Sequence, residues 1–266
     1  MSFSSKIERA RQIAQKTGIT ERGHSWYGEY FVNHFSIYLS YFLWKVGISA
    51  NAVTIAMGAA GLIGSVCMVF DRLWLTIAGA ILWQLWFVLD CVDGEVARLS
   101  HRTSLLGVYL DRLTHIFVNP TLSLSFGVHV CLREWSPVNL VSTIILYSAF
   151  TWTKQAKRVP MEGLGIKGGT EQEGVTKYRF NKKSVLCWLR LIIVECFQEI
   201  GQMWVFPAVI ILNRVVGYEI TSRFLYVYTV LFLGYLLASI LRDGYQIRQL
   251  DSRKASAVSR GLEQEK

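Results

Sequence analysis

The sequence predicts an all-α integral membrane protein: six transmembrane helices preceded by an N-terminal amphipathic helix that lies at the membrane interface. Three observations predict it. Of 266 residues, 52% are hydrophobic and only 18% charged, and mean hydropathy is positive at +0.32, a polytopic profile. Apolar windows recur at the length needed to cross a hydrocarbon core of about 30 Å, roughly 17 to 25 residues. Finally, the basic residues gather in alternate connections, as they do in membrane proteins whose cytoplasmic loops carry the Lys/Arg excess.

The chain opens MSFSSKIERARQ, charged and without the apolar core of a cleaved signal, so the first membrane segment is expected to direct insertion itself. In WYGEYFVNHFSIYLSYFLWKV, Phe31, Phe35, Leu39, Phe42 and Val46 recur near helical spacing, while Glu29, Asn33, Ser36 and Ser40 fall on another face. Such a helix fits the membrane surface, its alternative being an extra helix packed into the bundle. The clearest spans are Ala52 to Phe70, Leu73 to Leu89, Ile116 to Leu132 and Phe224 to Leu241, with a shorter one from Val138 to Trp152. The remaining span lies within Val185 to Leu212, which Arg190, Glu195 and Glu199 interrupt. Either an interfacial helix leads into a span near Gln202 to Leu212, or one longer helix buries polar groups. The domain plan is a cytoplasmic N-terminal segment over 1–48, a six-helix domain over 49–246 and a polar tail over 247–266.

Orientation follows from charge. Lys6, Arg9, Arg11, Lys16, Arg22 and Lys45 precede the first span, Arg98 and Arg102 follow the second, and eight basic residues from Lys154 to Lys183 crowd the fourth connection. The opposite loops hold little beyond Arg72, Arg133, Arg214 and Arg223. Both termini are therefore expected in the cytoplasm of a protein of the plasma (inner) membrane. This topology and an anionic leaflet account for most of the net charge of +9, and no nucleic-acid partner is expected. Five cysteines without CxxC spacing read as small buried hydrophobes, not a zinc site. His129, with Cys131 nearby but no third ligand in view, reads as a buried structural histidine.

Charge inside this apolar chain is concentrated from Asp90 to His115, DCVDGEVARLSHRTSLLGVYLDRLTH. Residues three or four apart share a helical face, so Asp90, Asp93, Gly94 and Ala97 form one stripe at the cytoplasmic end of the second span. Gly107, Asp111 and His115 form another at the start of the third, and the short polar connection from Ser100 to about Ser104 makes the two helices antiparallel neighbours. Glu95 falls off this stripe and points elsewhere. Three carboxylates and an imidazole then converge, at a cost of about 2.5 to 3.5 kcal/mol per Asp near a helix centre unless cations relieve it. Oxygen donors select Mg²⁺ or Mn²⁺, and two ions fit if one carboxylate bridges them, forming a clamp for a diphosphate. Small residues at Gly94, Ala97 and Gly107 permit close helix packing or close approach of a flat nucleotide.

This spacing resembles the signature of the CDP-alcohol phosphotransferase family: an Asp pair followed by Gly, then Ala-Arg, then Gly after eight residues, then two Asp at intervals of four. Asp90, Asp93, Gly94, Ala97, Arg98, Gly107 and Asp111 match, and His115 stands at the last Asp position. Many members also carry Pro-Asn-x-x-Thr before the first span; here the run is Ala50, Asn51, Ala52, Val53, Thr54, matching in Asn and Thr. The resemblance implies a six-helix homodimer with a cytoplasm-facing cavity and a dinuclear metal site. It also implies transfer of a phosphoryl-alcohol group from a CDP-alcohol, lipid or soluble, to an acceptor alcohol or phosphorylated polyol, with release of CMP. It assigns metal to Asp90, Asp93 and Asp111. Gly94, Ala97 and Gly107 would flank the cytidine, Asn51 and Thr54 would line the nucleotide pocket, and Arg98 would neutralise carboxylates or phosphate. Asn51 as a mere helix cap is the competing reading.

The family's last Asp is the presumed base and a further metal ligand, so His115 inherits both roles with altered chemistry. Imidazole accepts a proton near neutral pH, yet nitrogen suits Mg²⁺ less well than oxygen. Three accounts of His115 stand: a natural variant using it as base, a paralogue with lost or changed chemistry, and an engineered Asp→His change. Intramembrane Asp and His also mark ion pathways, so a small transporter is the competing class of function. A transporter has no need of Gly and Ala at these offsets.

Overall fold

The structure is a computed structural model that describes residues 3–16, 27–28, 32–156, 197, 199–216 and 220–264. Eight helices and no strand occur among them: α1 (Phe3–Lys16), α2 (Asn33–Val46), α3 (Ala50–Val69), α4 (Leu73–Leu99), α5 (Leu105–Arg133), α6 (Pro137–Ala156), α7 (Glu199–Val216) and α8 (Ile220–Gln264). Four helical segments are long and apolar enough to cross a membrane, namely α3, α4, α5 and Ile220–Leu241 of α8. The apolar parts of α6 and α7, Pro137–Thr151 and Gly201–Val216, are shorter. Of the six expected spans, four thus meet the length and composition of a crossing helix. The basic run from Lys157 to Lys183, with Arg190 and Glu195, lies outside the described residues.

Local chemistry sets the breaks. Gly47 adopts a left-handed φ of +86° and its N–H closes the end of α2 on Leu43 and Trp44 carbonyls, a conformation glycine reaches without steric cost. Two residues later the Ser49 hydroxyl accepts from the Ala52 N–H at 3.3 Å and starts α3. The cap is therefore Ser49, which leaves Asn51 available for the site. At the α4–α5 corner, Ser100 ends one helix, His101 takes φ +52° and Ser104 caps the next by accepting from Gly107 N–H at 3.0 Å.

The bundle closes around α3, α4 and α5. Gly58, Gly61 and Gly64 bring α3 against Thr114 and Val118 of α5 and against Trp86 and Trp83 of α4. A Cβ on Gly64 would stand 3.1 Å from the Gly79 carbonyl oxygen, so two backbones meet there directly, as at small-residue membrane crossings. Gly61→Val is expected to destabilise the bundle by about 1–3 kcal/mol, because Val118 and the Trp86 indole fill the space its side chain needs; thermal melting in detergent checks this. Trp83, Trp86, Leu122, Phe126, Phe206 and Phe232 are fully or almost fully buried at the centre. Away from the motif, Asp71 in the α3–α4 loop meets Arg133 at 3.1 Å and Arg214 at 3.7 Å, tying one end of the bundle together.

The amphipathic helix α2 is turned the opposite way from a simple core helix. Its serine face is inward: Ser36 and Ser40 are buried and donate to the Glu95 carboxylate at 2.8 and 2.5 Å, while Phe35, Phe42 and Val46 are exposed. An apolar outer face suits contact with lipid. Ahead of it, α1 packs Ile7 and Ala10 on Ile37 and Leu99, a helix hidden in sequence by its charged residues. At the other end, α8 continues through the polar tail to Gln264.

Candidate metal and nucleotide site

The two Asp stripes sit on polar extensions of apolar helices. Helix α4 runs ten residues past its expected span, through Leu99, and α5 begins at Leu105, eleven before its expected span. The corner between them turns the chain back, yet α4 and α5 pack chiefly on α3 and scarcely on each other, so Asp90 and Asp111 approach through their side chains. His115 Nε2 lies 2.9 Å from Asp90 Oδ1 and 3.3 Å from Asp111 Oδ1. Donor atoms of Asp90, Asp111 and His115 all fall within 4.8 Å of one another. This spread fits the donor set of one cation, since ligands at bond lengths of about 2.1 Å on adjacent corners stand about 3 Å apart.

Asp93 is placed differently. Its Oδ2 accepts from the Thr54 hydroxyl at 2.8 Å, and the same hydroxyl also reaches the Ala50 carbonyl at 3.1 Å. Asp93 therefore joins α4 to the start of α3 and is not among the three donors that converge. One turn earlier on α3, the Asn51 carboxamide oxygen would stand 3.0 Å from a Cβ on Gly107. The structure thus brings both halves of the Asn-x-x-Thr element to the motif, Asn51 on α5 and Thr54 on α4. A Cβ at position 107 would crowd that oxygen and shift the Asn51 side chain. Thr54→Val is expected to raise the KM for a CDP-alcohol several-fold, with a smaller change in kcat, because it frees the Asp93 carboxylate while conserving side-chain volume; steady-state kinetics check it.

Arg98 lies back along α4, with its guanidinium nitrogens 3.0 and 3.2 Å from where a Cβ on Gly94 would be. The gap left by Gly94 is thereby filled by a cationic group. Ala97 is half-buried on the same face. Glu95, as its off-stripe position implies, points away to α2.

Two features around His115 are not evident from the motif. Asn119, 1% exposed, places its amide nitrogen 3.2 Å from His115 Nδ1. The Trp86 ring stands edge-on to the imidazole at 5.5 Å between centroids. The signal for Asn119 was present, as the next i+4 residue of the Asp111–His115 stripe; for Trp86 only the packed structure supplies it. His129 is fully buried with Nδ1 3.3 Å from the Val69 carbonyl oxygen, as expected of a structural histidine. Cys67, Cys91 and Cys131 are free and half-buried.

Comparison with known proteins agrees with this geometry. The family model described as CDP-alcohol phosphatidyltransferase matches residues 48–218, from the cap of α3 to just beyond α7. A bifunctional IPC transferase and DIPP synthase of Thermococcus kodakarensis is 31% identical over 134 residues, which cover 50% of this chain and 28% of that protein. The match thus spans little more than a quarter of that relative's length. With the motif, the site geometry and a family match across most of the helical bundle in agreement, the chain belongs to the CDP-alcohol phosphatidyltransferase family.

Proposed function

We propose that the chain moves a phosphoryl-alcohol group from a CDP-alcohol to an acceptor alcohol and releases CMP, in phospholipid or related polyol-phosphate biosynthesis. The observation that carries this reading is the convergence of Asp90, Asp111 and His115 within 4.8 Å, beside the Asn51–Gly107 and Thr54–Asp93 contacts. The residues to which this reading gives metal and those to which it gives nucleotide come from three helices and lie side by side. Family membership supports the donor class.

In this reading Asp90, Asp111 and His115 hold divalent metal, Mg²⁺ or Mn²⁺ by the family pattern, with Asp93 beside them. When bound, the metal neutralises charge on the donor's diphosphate. The chain's own groups do the rest. Gly94, Ala97 and Gly107 leave room for the cytidine, Asn51 and Thr54 border it, and Arg98 swings from Gly94 to a phosphate. The acceptor hydroxyl oxygen bonds to the phosphorus as the bond to the CMP oxygen breaks, and the hydroxyl proton passes to the Asp111–His115 pair. Positioning and charge complementarity supply the rate. The 1–48 segment lies on the cytoplasmic face with α2 at the interface, 49–246 forms six spans, and 247–266 is a cytoplasmic extension. Both termini and the site face the cytoplasm of the inner membrane, and two copies pair as a homodimer.

The test is CMP release by the full-length protein in detergent or nanodiscs, with lipid and soluble CDP-alcohols and either Mg²⁺ or Mn²⁺. No CMP from any pair of donor and acceptor sinks the proposal. Turnover gained only in His115→Asp replaces it with a nucleotide- and metal-binding paralogue that has lost its chemistry.

A further inference from the structure

We infer that Asp90, Asp111 and His115, backed by Asn119, form a mixed oxygen and nitrogen site for one transition-metal ion of the Mn²⁺ or Co²⁺ kind, with Mg²⁺ disfavoured. The inference deepens the metal-binding reading above and is independent of whether the chain turns over a CDP-alcohol. It leaves Asp111 as the member of the Asp111–His115 pair that takes the acceptor proton, since both imidazole nitrogens are engaged.

Four observations lead to it. First, His115 Nε2 makes polar contacts of 2.9 and 3.3 Å with the two carboxylates, which hold donor atoms of all three side chains within 4.8 Å of one another, the spacing at which one ion takes the place of the shared proton. Second, Asp93, the remaining carboxylate, accepts at Oδ2 from Thr54 at 2.8 Å and is not among the donors grouped with Asp90 and Asp111, so the imidazole is the third donor present. Third, His115 Nδ1 meets the Asn119 carboxamide at 3.2 Å. A ligating imidazole is oriented by a partner on its other nitrogen, and such partners tune affinity 10- to 100-fold. The carboxamide serves either tautomer. Its NH₂ donates to Nδ1 while Nε2–H faces Asp90, and a half turn about χ2 offers its oxygen to Nδ1–H and leaves the Nε2 lone pair for an ion. Fourth, Trp86 packs edge-on against the ring and limits its rotation, so the donor stays aimed at the carboxylates.

Imidazole is the donor that separates metals. Mg²⁺ favours oxygen and gives up its waters reluctantly, whereas first-row transition ions accept imidazole more readily along the affinity order, Co²⁺ more than Mn²⁺. Replacing one carboxylate by imidazole also removes a negative charge, which weakens a hard ion most.

The test uses the full-length protein in detergent, stripped with chelator. Mn²⁺-loaded protein is measured by pulsed electron paramagnetic resonance for coupling to a directly bound nitrogen. Affinities for Co²⁺, by visible absorption, and for Mg²⁺, by competition, are then compared between the parent and His115→Asp. Nitrogen coupling in the parent is expected, as is a fall of roughly tenfold or more in the ratio of Co²⁺ to Mg²⁺ affinity in His115→Asp. Asn119→Leu is expected to weaken Co²⁺ by about 10- to 100-fold. Absence of nitrogen coupling in the unmutated protein overturns the inference whatever the variants do, and so does an unchanged affinity ratio in a folded His115→Asp. Nitrogen coupling without CMP release keeps this inference and sinks the proposed reaction. CMP release with no nitrogen coupling does the reverse.

Discussion

Asp90→Asn and Asp111→Asn are each expected to lower CMP release by about 10³-fold, equivalent to about 4 kcal/mol of transition-state stabilisation. The protein's melting temperature in detergent is expected to hold or rise. Both effects follow from one arrangement. The Asp90 and Asp111 side chains are 27% and 43% exposed, so neither anchors the core. His115 at 2.9 and 3.3 Å offsets part of their charge, and the excess negative charge that remains, with Asp93 nearby, costs energy until a cation arrives. Asparagine keeps the shape, removes the repulsion and loses the charge a metal needs. Activity falling while stability does not is the signature of a functional cluster. Retention of more than about one-tenth of parental kcat/KM in both variants would show that these carboxylates do not carry the reaction.

The parts of this molecule that were legible in its sequence share a cause. Apolar windows and motif spacing are local, and a helix converts them into faces without help from the rest of the chain. The second and third spans and the turn of Glu95 away from the Asp stripe came from that rule, whereas the direct pairing expected across the 100–104 corner did not form, since α4 and α5 both pack on α3 and meet through side chains. The paired approach of Asp90, Asp111 and His115 followed from the rule as well. What the pattern did not reveal depends on contacts between distant segments. Asp93 shares a stripe with Asp90, yet Thr54, thirty-nine residues away, holds its carboxylate. Nor does any rule of spacing say that Trp86 will stand against His115. Helix α1 escaped notice because its few apolar positions, Ile7 and Ala10 among them, are outnumbered by charged ones, and their partners Ile37 and Leu99 are far along the chain. The close packing at the α3 glycines likewise depends on Trp83 and Trp86 of the next helix, which local spacing does not place against them.

The double substitution Ser36→Ala, Ser40→Ala is expected to destabilise the protein by about 3 kcal/mol or more, the second large effect. Glu95 is buried on α4, and Ser36 and Ser40, one turn apart on α2, donate to its two oxygens at 2.8 and 2.5 Å. Hydrogen bonds to a carboxylate contribute about 1.5–3 kcal/mol each, and deleting the donors leaves a buried acidic group with only the charges of Arg98 and Arg11 to offset its desolvation. Because α1 packs on α2 and on the end of α4 through Ile37 and Leu99, loosening this clasp is expected to release both N-terminal helices from the bundle. Faster proteolysis between α1 and α3 reports that release separately from global melting. Adding Glu95→Leu to the double variant is expected to recover most of the loss, since an apolar side chain facing two alanines has nothing left to satisfy. If the double variant melts with the parent, the serine face of α2 contributes nothing to holding it. If the triple variant melts no higher than the double, the loss comes from packing and not from the abandoned carboxylate. The clasp lies on the face of α4 opposite the metal-bearing stripe, so the triple variant is also expected to retain metal affinity within about threefold. That result would separate the α4 face that binds α2 from the face that binds substrate.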